Sequence, residues 1–153
     1  MKFERRIAVF GGRNIDERLY QDTVKLGQLL AMEKWLVLCG GGGGVMEAIA
    51  MGVKAEQGTC VGLLKGISMN EANQYLSIPI MTNMGISRNA LLAYNCDAAV
   101  AVSGQYGTLS EIAYALQLKK PVIGYKTWDI KGIIEVDTIN QVIKELKVYF
   151  NGK

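Results

Sequence analysis

The sequence predicts an α/β fold in which a mainly parallel sheet is covered by helices on both faces. Short strands that are apolar throughout alternate with amphipathic helical stretches, and a strand that is apolar on both sides must be buried on both sides. Glycine-rich turns also follow three of these strands and lead directly into the next helical stretch. Such turns are typical of the sheet edge at which open α/β folds bind ligands.

The first half of the chain predicts three strands and two helices. Apolar residues at helical spacing from Leu19 predict a helix that ends near Lys34. A second helix ends before Gln57-Gly58, since glycine commonly follows the last helical turn. The stretch from Lys65 to Ser77 is too irregular to assign. In order, the elements are strand 7–10, helix 19–34, strand 35–39, helix 45–56 and strand 59–64.

The second half predicts four strands and three helices. Pro79 indicates a sheet edge or a strand start, and Ser87 is placed to cap the helix that follows it. Asp137 or Thr138 caps the last helix. The elements are strand 78–82, helix 87–95, strand 98–102, helix 108–119, strand 122–125, strand 132–136 and a C-terminal helix. Together they predict a Rossmann-like, doubly wound sandwich that forms a single domain over residues 1–153.

The composition excludes several classes of function. Apolar residues make up 50% of the chain and charged residues 20%, which is typical of a globular protein and not of a disordered one. The net charge is only +3 and the basic residues are scattered, so we expect no nucleic-acid partner. The chain has no histidine. This excludes mechanisms that need imidazole, from serine-histidine triads to histidine-ligated zinc.

The cysteines and the hydropathy pattern bear on the compartment. Cys39, Cys60 and Cys96 are far apart, odd in number and set in apolar surroundings, so we expect buried thiols in a reducing compartment and no metal site. The N-terminus lacks a signal-peptide core, and no apolar stretch reaches the roughly 18 to 20 residues of a membrane helix. We therefore expect a cytoplasmic protein with no membrane contact.

The three glycine turns predict an anion site. A strand, a glycine turn and a helix start aim free backbone N–H groups and the positive end of the helix dipole in the same direction, so a phosphate is the expected guest. The alternative is that glycine serves only tight turns and close packing. The predicted binding residues are Gly11, Gly12 and Arg13 after the first strand, Gly41, Gly42, Gly43 and Gly44 after the second, and Gly104, Gly107 and Thr108 after strand 98–102.

Two charged residues are the candidates for chemistry. Arg88 lies in a first helical turn, where a cation opposes the helix dipole unless a bound anion compensates it; the alternative is a solvated surface arginine. Glu111 lies beside the third glycine turn as a candidate acid, base or ribose-binding group. Alternatively, Glu111 has only a structural role, because Thr108 and Glu111 form the T-x-x-E pattern of a capping box at a helix start.

Three segments of this chain resemble the LOG family of the lysine decarboxylase-like superfamily. They are Gly40 to Met46, Ser87-Arg88-Asn89, and Ser103 to Glu111. In that family the pattern P-G-G-x-G-T-x-x-E binds a nucleotide phosphate and supplies a catalytic glutamate, and an R-K pair supplies an arginine. The matching positions here are Gly104, Gly107, Thr108, Glu111 and Arg88, whereas Ser103, Gln105 and Asn89 depart from the pattern.

The resemblance implies one of two functions. Characterised LOG proteins are phosphoribohydrolases of cytokinin riboside 5′-monophosphates, which implies hydrolysis of a nucleoside 5′-monophosphate to a free base and ribose 5-phosphate, with no cofactor required. The chain also resembles a sister branch, the molybdenum cofactor carrier proteins, which implies binding without turnover. A third alternative is a structural subunit with a decayed phosphate site. A homodimer or higher homo-oligomer is implied. Lysine decarboxylase activity is not expected, because no lysine stands out as a pyridoxal-phosphate anchor.

Overall fold

The computed structural model describes residues 3–152, which form a seven-stranded sheet and five α-helices. The strands are β1 (Arg6–Gly11), β2 (Leu36–Cys39), β3 (Cys60–Leu64), β4 (Ile78–Met81), β5 (Ala98–Val102), β6 (Val122–Tyr125) and β7 (Ile133–Val136). The helices are α1 (Glu17–Met32), α2 (Val45–Ala55), α3 (Arg88–Asn95), α4 (Tyr106–Gln117) and α5 (Ile139–Asn151). Short 3₁₀ turns occupy Met69–Glu71 and Gly85–Ser87.

The strand order explains where a ligand can bind. The order is β4-β3-β2-β1-β5-β6-β7, and every neighbouring pair is parallel. The chain therefore winds outward from β1 to β4 and then returns to place β5 on the other side of β1. In doubly wound folds the crevice at this switch point, beyond the carboxyl ends of the strands, takes the ligand. The predicted fold class is confirmed, and β4, which contains Pro79, is an edge strand as predicted.

Two apolar clusters, one on each face of the sheet, form the core. β1 shows the division, because Ile7 and Val9 belong to the cluster beneath α1, α2 and α5. Ala8 and Phe10 belong to the cluster that contains Leu92 of α3 and Ile112 of α4. Both sides of the central strands are thus buried, which is why those strands read as continuous apolar runs. The three cysteines are buried free thiols, as predicted. No helix within residues 3–152 has the length and apolar character needed to cross a membrane.

Three predicted helix starts need correction. α1 begins at Glu17, two residues before Leu19, because the Asp16 side chain caps it by accepting a hydrogen bond from the Leu19 amide. Ser87 precedes α3 but makes no capping hydrogen bond, because the 3₁₀ turn Gly85–Ser87 runs straight into the helix and leaves Ser87 with helical backbone angles. α4 begins at Tyr106, two residues earlier than predicted, and the amide of Leu109 bonds to the carbonyl of Gln105. The last helix does follow the prediction, since Thr138 forms a capping box with Gln141.

Candidate functional site

A cavity of about 470 Å³ lies at the switch point between β1 and β5. Its walls come from the loops that follow β1, β2, β3 and β5 and from the first turns of α3 and α4. The loops after β1 and β5 touch, since a Cβ built on Gly12 would lie 3.3 Å from the Cα of Gly104. The predicted site residues on its lining are Gly11, Gly12, Arg13, Arg88, Gly104, Gly107, Thr108 and Glu111.

The N-terminus of α4 opens into this cavity. Its cap residue, Gln105, makes no side-chain capping bond. Within the described chain, the amides of Gly107 and Thr108 and the hydroxyl of Thr108 have no hydrogen-bond partner, although Thr108 is only 3% exposed. Gly104 adopts a positive φ of 102°, and a Cβ there would collide with the Thr108 hydroxyl. The loop therefore needs glycine at this position to bring its backbone against the start of the helix.

The capping-box interpretation of Thr108 and Glu111 is wrong. Because α4 starts at Tyr106, Thr108 is the third residue of the helix and Glu111 lies in its second turn. Neither side chain can then serve the helix start in the way the T-x-x-E pattern requires. Both side chains are buried and both line the cavity.

Glu111 has an unusual environment for a carboxyl group. The side chain is 8% exposed, and no ion pair or hydrogen bond to it exists among residues 3–152. Burial raises its pKa to about 8, although the charges of Arg88 and Lys65 act in the opposite direction. At neutral pH the carboxyl group is therefore mostly protonated and can donate a hydrogen bond.

Arg88 is a buried residue, so its interpretation as a solvated surface arginine is wrong. The side chain is 4% exposed, and its Nη1 donates to the carbonyl oxygens of Gly40, at 2.6 Å, and Leu63. Burial lowers its pKa, which the nearby Glu111 partly offsets. Backbone carbonyls at the ends of β2 and β3 thus hold the guanidinium on the cavity wall.

Asn89 links this arginine to α4. Its Oδ1 accepts a hydrogen bond from Arg88 Nε at 3.1 Å. Its Nδ2 donates to Ser110 Oγ at 3.1 Å and lies 3.5 Å from the Gly107 carbonyl oxygen. From the sequence, Asn89 is recognisable only as a departure from the family's lysine. In the structure it fixes the starts of α3 and α4 relative to each other.

Lys65 lines the cavity and is absent from the predicted site. It directly follows β3, and its pKa is lowered by burial and by the positive charges of Arg88 and Arg13. Three cations therefore lie near one another. None of them takes part in an ion pair within the part of the chain that the structure describes. The signal that could have found Lys65 was its position immediately after an apolar strand, at the same sheet edge as the glycine turns.

Most of the second glycine turn lies outside the cavity. Gly40 lines the cavity, whereas Gly41, Gly42, Gly43 and Gly44 do not. The first amide of α2, that of Val45, already bonds to the Gly12 carbonyl at 2.9 Å. Gly44 has a φ of 64° and packs against the backbone of Gly12 and Arg13. Close packing against the loop after β1 accounts for glycine at Gly44, and the first turn of α2 contributes only Met46 to the cavity lining.

Comparison with known proteins supports the same family. The model of the SLOG cluster4 family, LDcluster4, matches residues 4–149. This chain belongs to that family. It is also 33% identical, over 113 residues, to a probable cytokinin riboside 5′-monophosphate phosphoribohydrolase of Oryza sativa subsp. japonica. That match covers 71% of this chain and half of the rice protein.

Solved structures similar to this chain include two molybdenum cofactor proteins. The molybdenum cofactor binding protein of Rippkaea orientalis superposes with a TM-score of 0.91 at 28% identity, over 98% of this chain and 99% of that one. The molybdenum cofactor carrier protein of Chlamydomonas reinhardtii gives a TM-score of 0.87 at 29% identity, over 97% and 99%. The predicted membership of the LOG-like superfamily, including the carrier-like branch, is thereby confirmed.

Proposed function

We propose that the cavity binds a small phosphorylated molecule whose phosphate lies at the N-terminus of α4. The observation that carries this proposal is the set of unpartnered donors of Gly107 and Thr108, which line the cavity although Thr108 as a residue is only 3% exposed. A phosphate would satisfy these donors and would interact favourably with the positive end of the helix dipole. Protonated Glu111 supplies one more donor in the same cavity.

We further propose that the protein holds its ligand without turning it over. The likeness to the molybdenum cofactor proteins extends over nearly the whole of both chains, whereas the phosphoribohydrolase match reaches only half of that enzyme. Arg88 also favours binding without turnover, because it donates hydrogen bonds to Gly40, Leu63 and Asn89 of this chain. These bonds fix its guanidinium as part of the cavity wall. A phosphorylated cofactor of the molybdenum cofactor class is the proposed ligand.

Hydrolysis of a nucleoside 5′-monophosphate is the second candidate, and Glu111 is the observation that favours it. A protonated carboxyl in a buried site can donate its proton to the departing base as the N-glycosidic bond breaks and water adds to the sugar carbon, and the proton that this water loses then returns to the carboxylate. Free base and ribose 5-phosphate would be the products. Arg88 would stabilise the resulting carboxylate, since its charge already acts on Glu111.

Two measurements on one ligand panel separate these candidates. The protein is incubated with purine and pyrimidine nucleoside monophosphates, and separately with molybdenum cofactor, and each mixture is passed through gel filtration. A cofactor that elutes with the protein and is recovered unchanged supports the carrier. Release of free base that Glu111→Gln abolishes supports the hydrolase. Glu135→Gln is the matched control, because Glu135 is exposed on β7 and outside the cavity.

A homo-oligomer is also proposed, with the β4-side surface as its contact. This surface consists of the exposed apolar side chains of Ile67, Ile78, Ile80, Met84 and Ile86. β4 is a sheet edge, and the Gly85 amide, next to Ile86, donates a hydrogen bond to the carbonyl of Lys65 in the segment that leads to Ile67. Apolar patches of this kind commonly mark protein contacts. The buried free thiols support the cytoplasm as the proposed compartment.

A further inference from the structure

The positive charges of the cavity lie mostly on the side away from α4. Lys65 follows β3 and Gly104 follows β5, and β2 and β1 lie between these strands. Three steps of strand spacing separate their backbones by about 14 Å. A ligand that fills the cavity from α4 toward β3 therefore has two ends in different surroundings.

Arg13 lies on the β2–β3 side as well. A Cβ built on Gly42 would lie 3.0 Å from Arg13 Nη2, and one built on Gly40 would lie 2.8 Å from Arg88 Nη1. The positive charge of Arg13 lowers the pKa of both Arg88 and Lys65, so the three cations lie within range of one another's electric field. Arg13 has its backbone after β1, but its charge lies over the loop after β2.

No acidic residue forms an ion pair with this group of charges within residues 3–152. Glu71 acts on Lys65 and Arg88 from outside the cavity lining, where its carboxylate accepts a hydrogen bond from the Gly66 amide. Glu111 is the one acidic residue among those that line the cavity in the described structure, and it is mostly neutral at neutral pH. Arg13 and Lys65 make no ion pair within residues 3–152. Like charges held this close repel one another, and the repulsion is relieved when an anion binds between them.

We propose that Arg13 and Lys65 form a second anion subsite, so that the cavity selects small molecules with a phosphate at one end and another anionic group at the other. The inference rests on the proposed phosphate site at α4 and adds a requirement to it. A ligand with only one phosphate satisfies α4 and leaves the cations of the β2–β3 side uncompensated. A ligand with two separated anionic groups satisfies both sides at once.

The test compares two sugar phosphates that differ in the second anionic group. Calorimetric titration measures the affinity of the wild-type protein for ribose 5-phosphate and for ribose 1,5-bisphosphate. We expect the bisphosphate to bind at least about tenfold more tightly, since a hydrogen-bonded ion contact is generally worth that much. Lys65→Gln and Arg13→Gln should each remove most of this gain and change the affinity for ribose 5-phosphate by less than about threefold.

Two controls accompany these variants. Lys144→Gln removes an exposed lysine of α5 outside the cavity and should leave both affinities unchanged. Thermal melting of each variant verifies that it is folded. Equal affinity of the wild type for the two sugar phosphates would overturn the second subsite and leave the phosphate site standing. The same conclusion follows if Lys65→Gln and Arg13→Gln weaken both ligands equally. Failure of the wild type to bind either compound would overturn the proposed function itself.

Discussion

Replacing Glu111 by glutamine should make the protein more stable, and increasingly so as the pH rises. Burial raises the pKa of Glu111 from 4.5 to about 8. Below pH 4.5 the carboxyl group is neutral in both the folded and the unfolded chain, so its burial lowers the free energy of unfolding less than at any higher pH. Between the two values the unfolded chain loses this proton while the folded protein keeps it. The free energy of unfolding therefore falls with rising pH by up to about 1.4 kcal/mol per unit, and levels off above pH 8.

The magnitude follows from the width of this window. From 4.5 to about 8, the destabilisation amounts to roughly 5 kcal/mol. Glutamine has nearly the shape of the protonated carboxyl group and does not ionise. The stability advantage of Glu111→Gln over the wild type should thus grow by about 3 kcal/mol between pH 5.5 and pH 8.

Urea unfolding at a series of pH values measures this difference directly. All other titrating groups contribute to both proteins, so subtraction of the two curves isolates Glu111. Glu135→Gln, which alters an exposed carboxyl group, should give a curve parallel to that of the wild type. A difference between Glu111→Gln and the wild type that stays constant with pH would show that the folded protein holds Glu111 ionised. Burial would then not be what sets the charge of Glu111.

Four other changes test the site and its surroundings. Thr108→Val should weaken binding of a nucleoside monophosphate about tenfold in calorimetry. The melting temperature should stay nearly unchanged, because the Thr108 hydroxyl has no protein partner. Unchanged affinity would contradict a phosphate site at α4. The affinity for the nucleoside monophosphate should fall as the pH rises through about 8, where Glu111 becomes an anion that repels phosphate. An affinity that does not change with pH would contradict this expectation. Asn89→Ala should cost about 2 kcal/mol in urea unfolding, since it leaves the buried Arg88 Nε unpaired, and a loss below 0.5 kcal/mol would be too small for that role. Ile86→Lys should convert the protein to a monomer, as measured by light scattering. Val148→Lys, at an exposed site on α5, should leave the oligomer intact. Equal behaviour of the two variants would exclude the β4-side surface as the subunit contact.

The fold could be predicted from the sequence because its signals are local. Apolar runs such as 98–102 show that a strand is buried on both faces, and helical spacing from Leu19 marks α1. The starts of helices were harder to locate. At α4 the T-x-x-E pattern indicated a cap at Thr108, but the backbone carbonyl of Gln105 already starts the helix. A capping pattern depends only on local hydrogen bonds, so it gives no information about the cavity that Thr108 faces.

The site could be predicted in part. Arg88 and Glu111 could be predicted from their charge and their position at helix starts, and the structure places both on the cavity wall. Neither the burial of Arg88 nor the neutral state of Glu111 follows from local sequence, because both depend on neighbours far along the chain. Gly41, Gly42, Gly43 and Gly44 were also predicted as binding residues, yet none of the four lines the cavity, and Gly44 packs against the backbone of Gly12 and Arg13. Lys65 reaches the cavity through the sheet order, which no short motif encodes.

A crystal structure of the protein with a nucleoside monophosphate tests the central claim most directly. We predict phosphate oxygens about 2.7 to 3.2 Å from the amide nitrogens of Gly107 and Thr108, with the Thr108 hydroxyl and Glu111 facing the same ligand. A phosphate bound instead at the start of α2, or at the surface outside the cavity, would contradict the assignment of α4 as the phosphate site.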